Sequence, residues 1–288
     1  MNTSEIIKKA KLIEIKTRKK VNELFIGSYH SSFKGQGLEF DEFKEYEYGD
    51  DVKNIDWKVS ARLNKPYVKK FIEERELTLM LVVDTSSSMQ GALGGIKKID
   101  IASEIVSILG FSAIKNQDKV GLLLFNHDDL KFISPKKGKA HILRLIRETF
   151  YTDFFKKDKT PSDVFKFLIN ILKRKSIVIF ISDFLFKIDE NALKYIKVLN
   201  SKHDVRFIIL KEDYDLINKI KDKFIVIKER DIENNSLNFY NILDMKKTIK
   251  DIEDHLFNLK QILKKINIRY VSIQTDIDYT ESLIKLFK

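Results

Sequence analysis

Cysteine is missing altogether from the 288 residues. Disulfides, thiolate metal sites and cysteine nucleophiles are thereby excluded, and the composition fits a reducing compartment. Long apolar runs are missing too. No stretch approaches the roughly 20 residues needed to span a bilayer. The N-terminal region is basic and amphipathic and has no apolar core ahead of a small-residue cleavage site, so it does not read as a secretory signal. The expected location is therefore cytoplasmic. Internal repeats and low-complexity segments are absent. His30, His127, His141, His203 and His255 show no metal-ligand spacing and are expected to be surface or hydrogen-bonded residues.

What is present describes a folded protein. Apolar residues make up 43% of the chain, charged residues 33% and aromatics 11%, a balance that disordered chains do not have. The length suits one large α/β domain with an added segment, or two modest domains. The net charge is +11, with 16 basic and 13 acidic groups in residues 1–75 and the larger excess beyond them. No basic block concentrates that charge. A nucleic-acid footprint would be clustered and interleaved with aromatics, so dispersed surface charge is the favoured reading.

Two regions are expected, 1–75 and 76–288. In the first, Ile6, Ala10, Ile13, Thr17, Val21 and Leu24 follow a helical period, which predicts a helix over 5–25 with Lys16–Lys20 on its solvated face. Glu39–Asp51 then carries seven acids and one lysine, and Lys53–Arg75 seven bases and three acids. These segments could fold against each other, or one could face a partner. From residue 76, strands and helices alternate. Strands are predicted at Leu77–Val83, Val120–Phe125, Leu130–Ile133, Ile177–Ser182, Val205–Leu210, Phe224–Ile227 and Ile268–Ile273. Helices are predicted at Ile99–Lys115, Ala140–Phe150, Ser162–Lys173, Glu190–Asn200, Asp244–Lys265 and Tyr279–Phe287. That alternation implies an α/β fold with a largely parallel sheet and right-handed crossovers.

The chemistry gathers at strand ends. Asp84, Ser86 and Ser88 form D-x-S-x-S directly after the apolar run Leu79–Val83. In an open α/β sheet, ligands bind at the carboxyl ends of the strands. One carboxylate and two hydroxyls at alternate positions suit a hard divalent cation, Mg²⁺ best, with Mn²⁺ or Ca²⁺ as substitutes. Local turn and cap hydrogen bonds explain the same residues without an ion. A second buried-type strand, Ile177–Ser182, also ends in a carboxylate, Asp183. If the two strands are parallel neighbours, Asp84 and Asp183 meet at one edge, where two carboxylates repel unless a cation lies between them. The loop Thr160-Pro161-Ser162-Asp163 could supply one more hydroxyl, from Thr160 or Ser162; its alternative role is a helix N-cap.

This set resembles the metal-ion-dependent adhesion site of von Willebrand factor A domains. The resemblance implies a doubly wound, mostly parallel, Rossmann-like sheet. It implies that Ser86, Ser88 and Ser162 (or Thr160) ligate the cation through hydroxyls, with Asp84 and Asp183 acting mostly through water. Further residues sharpen the match: Gly35-Gln-Gly37-Leu-Glu39-Phe40, Tyr46, Gly49-Asp50-Asp51, Ile55-Asp56-Trp57 and Ala61-Arg62. Together they resemble the signature of the bacterial family called domain of unknown function fifty-eight, the MoxR-associated von Willebrand A proteins. Many members carry two membrane helices ahead of this region, so the chain looks like the short soluble subset. Within the signature, Asp50, Asp51, Asp56, Trp57 and Arg62 form either a partner-binding surface or a structural set. The structural version expects Gly35, Gly37 and Gly49 in turns, Trp57 as a buried anchor and Arg62 paired with one of the three acids.

Catalysis finds little support. A phosphatase with an aspartyl nucleophile usually needs a second Asp two residues on, where Ser86 stands, and Gly91–Gly95 lacks the Lys-Ser/Thr of a phosphate loop. The expectation is a binding module and not an enzyme. The resemblance implies a MoxR-type AAA+ ATPase and further von Willebrand A proteins as partners, in chaperone-like maturation or envelope stress tolerance.

Overall fold

The computed structural model describes residues 38–73, 77–91, 96–126, 130–150, 161–212, 226–231, 236–274 and 278–287. The helix predicted over 5–25 and the glycines 35 and 37 lie outside the described residues. Two compact units emerge, Ser31–Leu77 and a second that includes Thr78–Lys288.

In the smaller unit the acid-rich and base-rich segments do fold against each other. Strand β1 (Leu38–Glu45) pairs antiparallel with β2 (Tyr67–Glu73), placing Glu42 opposite Lys70 in register. Between them lie a 3₁₀ turn (Val52–Asn54) and a two-turn helix, α1 (Trp57–Leu63). Gly49 has a φ of 111°, which L side chains rarely adopt, so its place in the turn is conformational. Ion pairs join Lys65 to Glu45 (2.8 Å) and Lys69 to Asp56 (2.9 Å).

Two expectations for this unit are corrected. Trp57 is not a buried anchor but 70% exposed, because α1 turns inward only at Ser60 and Trp57 is its first residue. Arg62 does not pair with Asp50, Asp51 or Asp56; it sits exposed in the last turn of α1. The three acids serve the backbone instead, as short carboxylates do at turns and caps. Asp50 accepts from the Glu47 N–H, Asp51 from Lys53, and Asp56 from Lys58 and Val59.

The larger unit is built on a six-stranded sheet. Its strands are β3 (Thr78–Asp84), β4 (Lys119–Phe125), β5 (Leu130–Lys136), β6 (Ile177–Ser182), β7 (Asp204–Lys211) and β10 (Arg269–Gln274). The order is β10-β7-β6-β3-β4-β5, all parallel except β5. Near-continuous apolar runs form the inner strands because both faces are covered. In β3 and β6 every residue but Thr78 is buried. On one face Met80, Val82, Phe180 and Phe207 pack with residues of α4 (Pro161–Ile171), α5 (Glu190–Lys202) and α6 (Ile242–Lys265).

The opposite face lies against α2 (Lys98–Lys115), whose first three turns are buried nearly all round. Against α2 packs α3 (Lys139–Glu148), so closely that a Cβ on Gly110 would stand 2.9 Å from Ile142. The final helix, α7 (Thr280–Phe287), packs on β10. The sheet is therefore doubly wound and mostly parallel, an α/β fold. Two differences from expectation concern strands. β5 runs to Lys136, with Pro135 tolerated because it is an edge strand. The strand expected at Phe224–Ile227 is β8 (Val226–Asp231), hairpin-paired with an unforeseen β9 (Ser236–Asn241).

Candidate cation site at the switch point of the sheet

From β3 the chain winds one way, to β4 and β5; from β6 it winds the other way, to β7 and β10. The crevice between the carboxyl ends of β3 and β6 is thus the topological switch point, where open α/β sheets bind ligands. In-register pairing of Val83 with Ile181 brings Asp84 and the Ser182-Asp183 corner to that edge together. Asp84 is the last residue of its strand, and Asp183 follows immediately after Ser182.

Both carboxylates are buried, Asp84 1% and Asp183 2% exposed. Asp84 Oδ1 accepts the Ser86 N–H at 2.9 Å, and Oδ2 accepts the Ser182 hydroxyl at 2.5 Å. Ser182 Oγ in turn accepts the Phe184 N–H at 2.8 Å, and Asp183 Oδ1 accepts the Leu185 N–H at 3.3 Å. Phe184 is held at a φ of 54°, unusual for a bulky residue, while its carbonyl is 2.9 Å from His255 Nε2 on α6. The corner carrying Asp183 is therefore tied down from both sides.

Turn chemistry accounts for part of the D-x-S-x-S loop and not for the rest. Asp84 makes the local turn bond to Ser86. Ser86 precedes a 3₁₀ turn (Ser87–Gln90) in the N-cap position, yet its hydroxyl makes no capping bond. It lies 3.1 Å from Ser88 Oγ instead. The two hydroxyls are hydrogen-bonded to each other beside a buried carboxylate, and their oxygens keep lone pairs of the kind a hard cation takes. Burial first, then repulsion from Asp183, raises the Asp84 pKa from 3.8 to about 6, against the lowering effect of its hydrogen bonds to Ser182 and Ser86. Hard oxygen donors of this kind fit Mg²⁺.

Two charged side chains at this edge were not foreseen. Lys98, the first residue of α2, places Nζ 2.8 Å from Asp183 Oδ2 and 3.3 Å from Glu212 Oε1. Glu212 directly follows β7, in the same relation to its strand as Asp183 to β6. The sequence signal for it is weaker, because Lys211 separates Glu212 from the apolar run that ends at Leu210. Lys98 has no such signal. Of the third-loop candidates, Thr160 lies outside the described residues. Ser162 is in the first turn of α4, but its side chain is also outside them. Among the described residues no three His, Cys, Asp or Glu side chains group to hold a metal.

The described histidines divide. His141 Nε2 lies 2.8 Å from the Val120 carbonyl, and His255 meets Phe184 as described. His203 departs from expectation: it is buried, neither ring nitrogen has a partner among the described residues, and burial lowers its pKa. Among the described residues no helix is long and apolar enough to cross a membrane.

Comparison with known proteins adds a family. The family described as "Protein of unknown function DUF58" matches residues 42–216. The uncharacterized proteins Rv1480 of Mycobacterium tuberculosis and Mb1516 of Mycobacterium bovis are each 28% identical over 200 residues, 67% of this chain. The match spans 61% of those relatives' own length. Among solved structures, BatB from Bacteroides thetaiotaomicron is 15% identical with a TM-score of 0.49, over 73% of this chain and 96% of that one. The SpRpn10 VWA domain is 9% identical with a TM-score of 0.42, over 73% and 94%. At such values the fold assignment rests on the strand order above.

Proposed function

The chain belongs to the DUF58 family, and we propose that it is a protein-interaction module that docks an acidic residue of a partner through a divalent cation, Mg²⁺ by preference. The observation carrying this reading is Asp84 at the switch point, buried beside the facing hydroxyls of Ser86 and Ser88 and near enough to the buried Asp183 for their charges to repel. The cation would supply a Lewis-acidic position, open to a carboxylate from another protein. Asp84 and Asp183 would balance its charge without saturating it. Ser86 and Ser88 would hold it with neutral oxygens, and Ser162 or Thr160 is the proposed third-loop donor. Ser182 and His255 would position the Asp183 corner, as their hydrogen bonds already do.

The role proposed is docking and not catalysis. Family resemblance supports a MoxR-type AAA+ ATPase as partner, with further von Willebrand A proteins, in chaperone-like maturation or envelope stress tolerance. A cytoplasmic location belongs to the same proposal. The test is capture of such an ATPase by the full chain, in Mg²⁺ or in chelator. Capture should be lost in chelator and in Asp84→Ala, and also in Ser86→Ala/Ser88→Ala, which keeps both carboxylates and the Ser86 N–H bond to Asp84. Capture unchanged by chelator and by the double serine variant refutes the cation bridge.

A further inference from the structure

Lys98 and Glu212 are the two charged residues at this edge that docking leaves without a task. The Lys98 side chain is 4% exposed, a state an ammonium tolerates only with close anionic partners. Among the described residues it has two, and one of them, Asp183, belongs to the cation set. Glu212 is the other, 10% exposed. It lies against the D-x-S-x-S loop, since a Cβ on Gly91 would stand 3.1 Å from Glu212 Oε1 and 3.3 Å from the Ser88 carbonyl.

An ammonium and a hard divalent cation seek the same partner, a carboxylate oxygen, and repel each other at short range. Asp183 cannot serve both fully. The flexible lysine stem already holds Nζ within ion-pair distance of a second carboxylate, so a small swing transfers the charge from one to the other. Asp84, Asp183 and Glu212 with Lys98 comprise three carboxylates and one ammonium. When all are ionised, this set is left with the excess that one divalent cation neutralises.

We infer that Lys98 is the affinity-determining residue of the cation site, a tethered competitor for Asp183, and that Glu212 receives its ammonium when a cation engages Asp183. The inference rests on the cation-dependent reading above. Removing a supporting lysine should weaken cation binding, whereas removing a competitor should strengthen it.

The experiment measures Mn²⁺ binding to the full chain, by the free-ion paramagnetic resonance signal, with Mg²⁺ as displacing ion. Lys98→Met, which keeps the apolar stem, should bind at least about tenfold more tightly than wild type. Glu212→Gln, which confines the ammonium to Asp183, should bind about threefold or more weakly. Equal or weaker binding by Lys98→Met overturns the inference and leaves the cation reading standing. A Lys98→Met chain that unfolds in chelator and folds in Mn²⁺ supports it. If that variant unfolds in both, Glu212→Gln decides, and affinity equal to or above wild type overturns the inference. Absence of Mn²⁺ binding to both wild type and Lys98→Met sinks the cation reading, and the inference with it.

Discussion

Asp84→Asn should make the cation-free protein more stable at neutral pH, although it removes a residue proposed to hold the ion. Asp84 is 1% exposed and faces the charge of Asp183, and its pKa rises from 3.8 to about 6. The folded carboxyl therefore keeps its proton where the unfolded one has lost it. Above pH 6 the fold bears the whole penalty of the charged form, about two pH units at about 1.4 kcal/mol each, or about 3 kcal/mol. The sign follows from proton counts. Between about pH 4 and 6 the folded state binds more protons than the unfolded state, so stability falls as pH rises. Asparagine removes the charge and can keep the contacts: its Oδ1 can accept the Ser86 N–H, and its amide can donate to Ser182 Oγ.

Urea denaturation in chelator should then show the variant ahead by about 3 kcal/mol at pH 7.5, with the gap closing towards pH 4. In Mg²⁺ at a hundred times its dissociation constant, wild type should recover about 2.7 kcal/mol and the variant nothing. A variant no more stable than wild type in chelator at pH 7.5 would falsify the reasoning, as would a gap that ignores pH.

Two further predictions concern packing elsewhere in the larger unit. Arg206 is fully buried, forks onto Asp204 (3.0 and 2.6 Å), donates to the Leu286 carbonyl and lies 4.6 Å from the centre of the Phe287 ring. Arg206→Ala should cost about 3–5 kcal/mol and raise amide exchange in 280–287 ahead of β3 and β6, as hydrogen-exchange mass spectrometry would read. Gly121→Ala would bring a Cβ to 2.6 Å of Met80 Cε and 2.9 Å of Pro135 Cγ. It should lower stability by about 1–3 kcal/mol, measurable as a drop in the denaturation midpoint with an unchanged slope.

The two central carboxylates were legible because the signal is local. Runs such as Leu79–Val83 and Ile177–Ser182 can be buried only as strands covered on both faces, and an Asp straight after such a run must emerge at the strand's carboxyl end. Glu212 is less legible, because Lys211 separates it from the apolar run ending at Leu210 and no hydroxyls flank it as they flank Asp84. Within the smaller unit the charge contrast left two outcomes open, contact between the segments or with a partner, and the β1–β2 pairing is the first of them. It did not announce the fate of Trp57. Exposure of one side chain on a two-turn helix depends on which face the helix turns inward, and the segment Trp57–Leu63 is too short for a period to reveal that.

Sequence alone therefore determined the α/β class, the strands that end in Asp84 and Asp183, and the serines that follow Asp84, all properties of neighbours along the chain. Tertiary structure decided the rest. It decided that β3 and β6 lie side by side in register, which turns two separate aspartates into one buried pair with a raised Asp84 pKa. It also decided that Lys98, 85 residues before Asp183, comes to lie against it. Pairings over such distances are selected by the winding of the whole sheet, because burial in common and not adjacency brings the charges together.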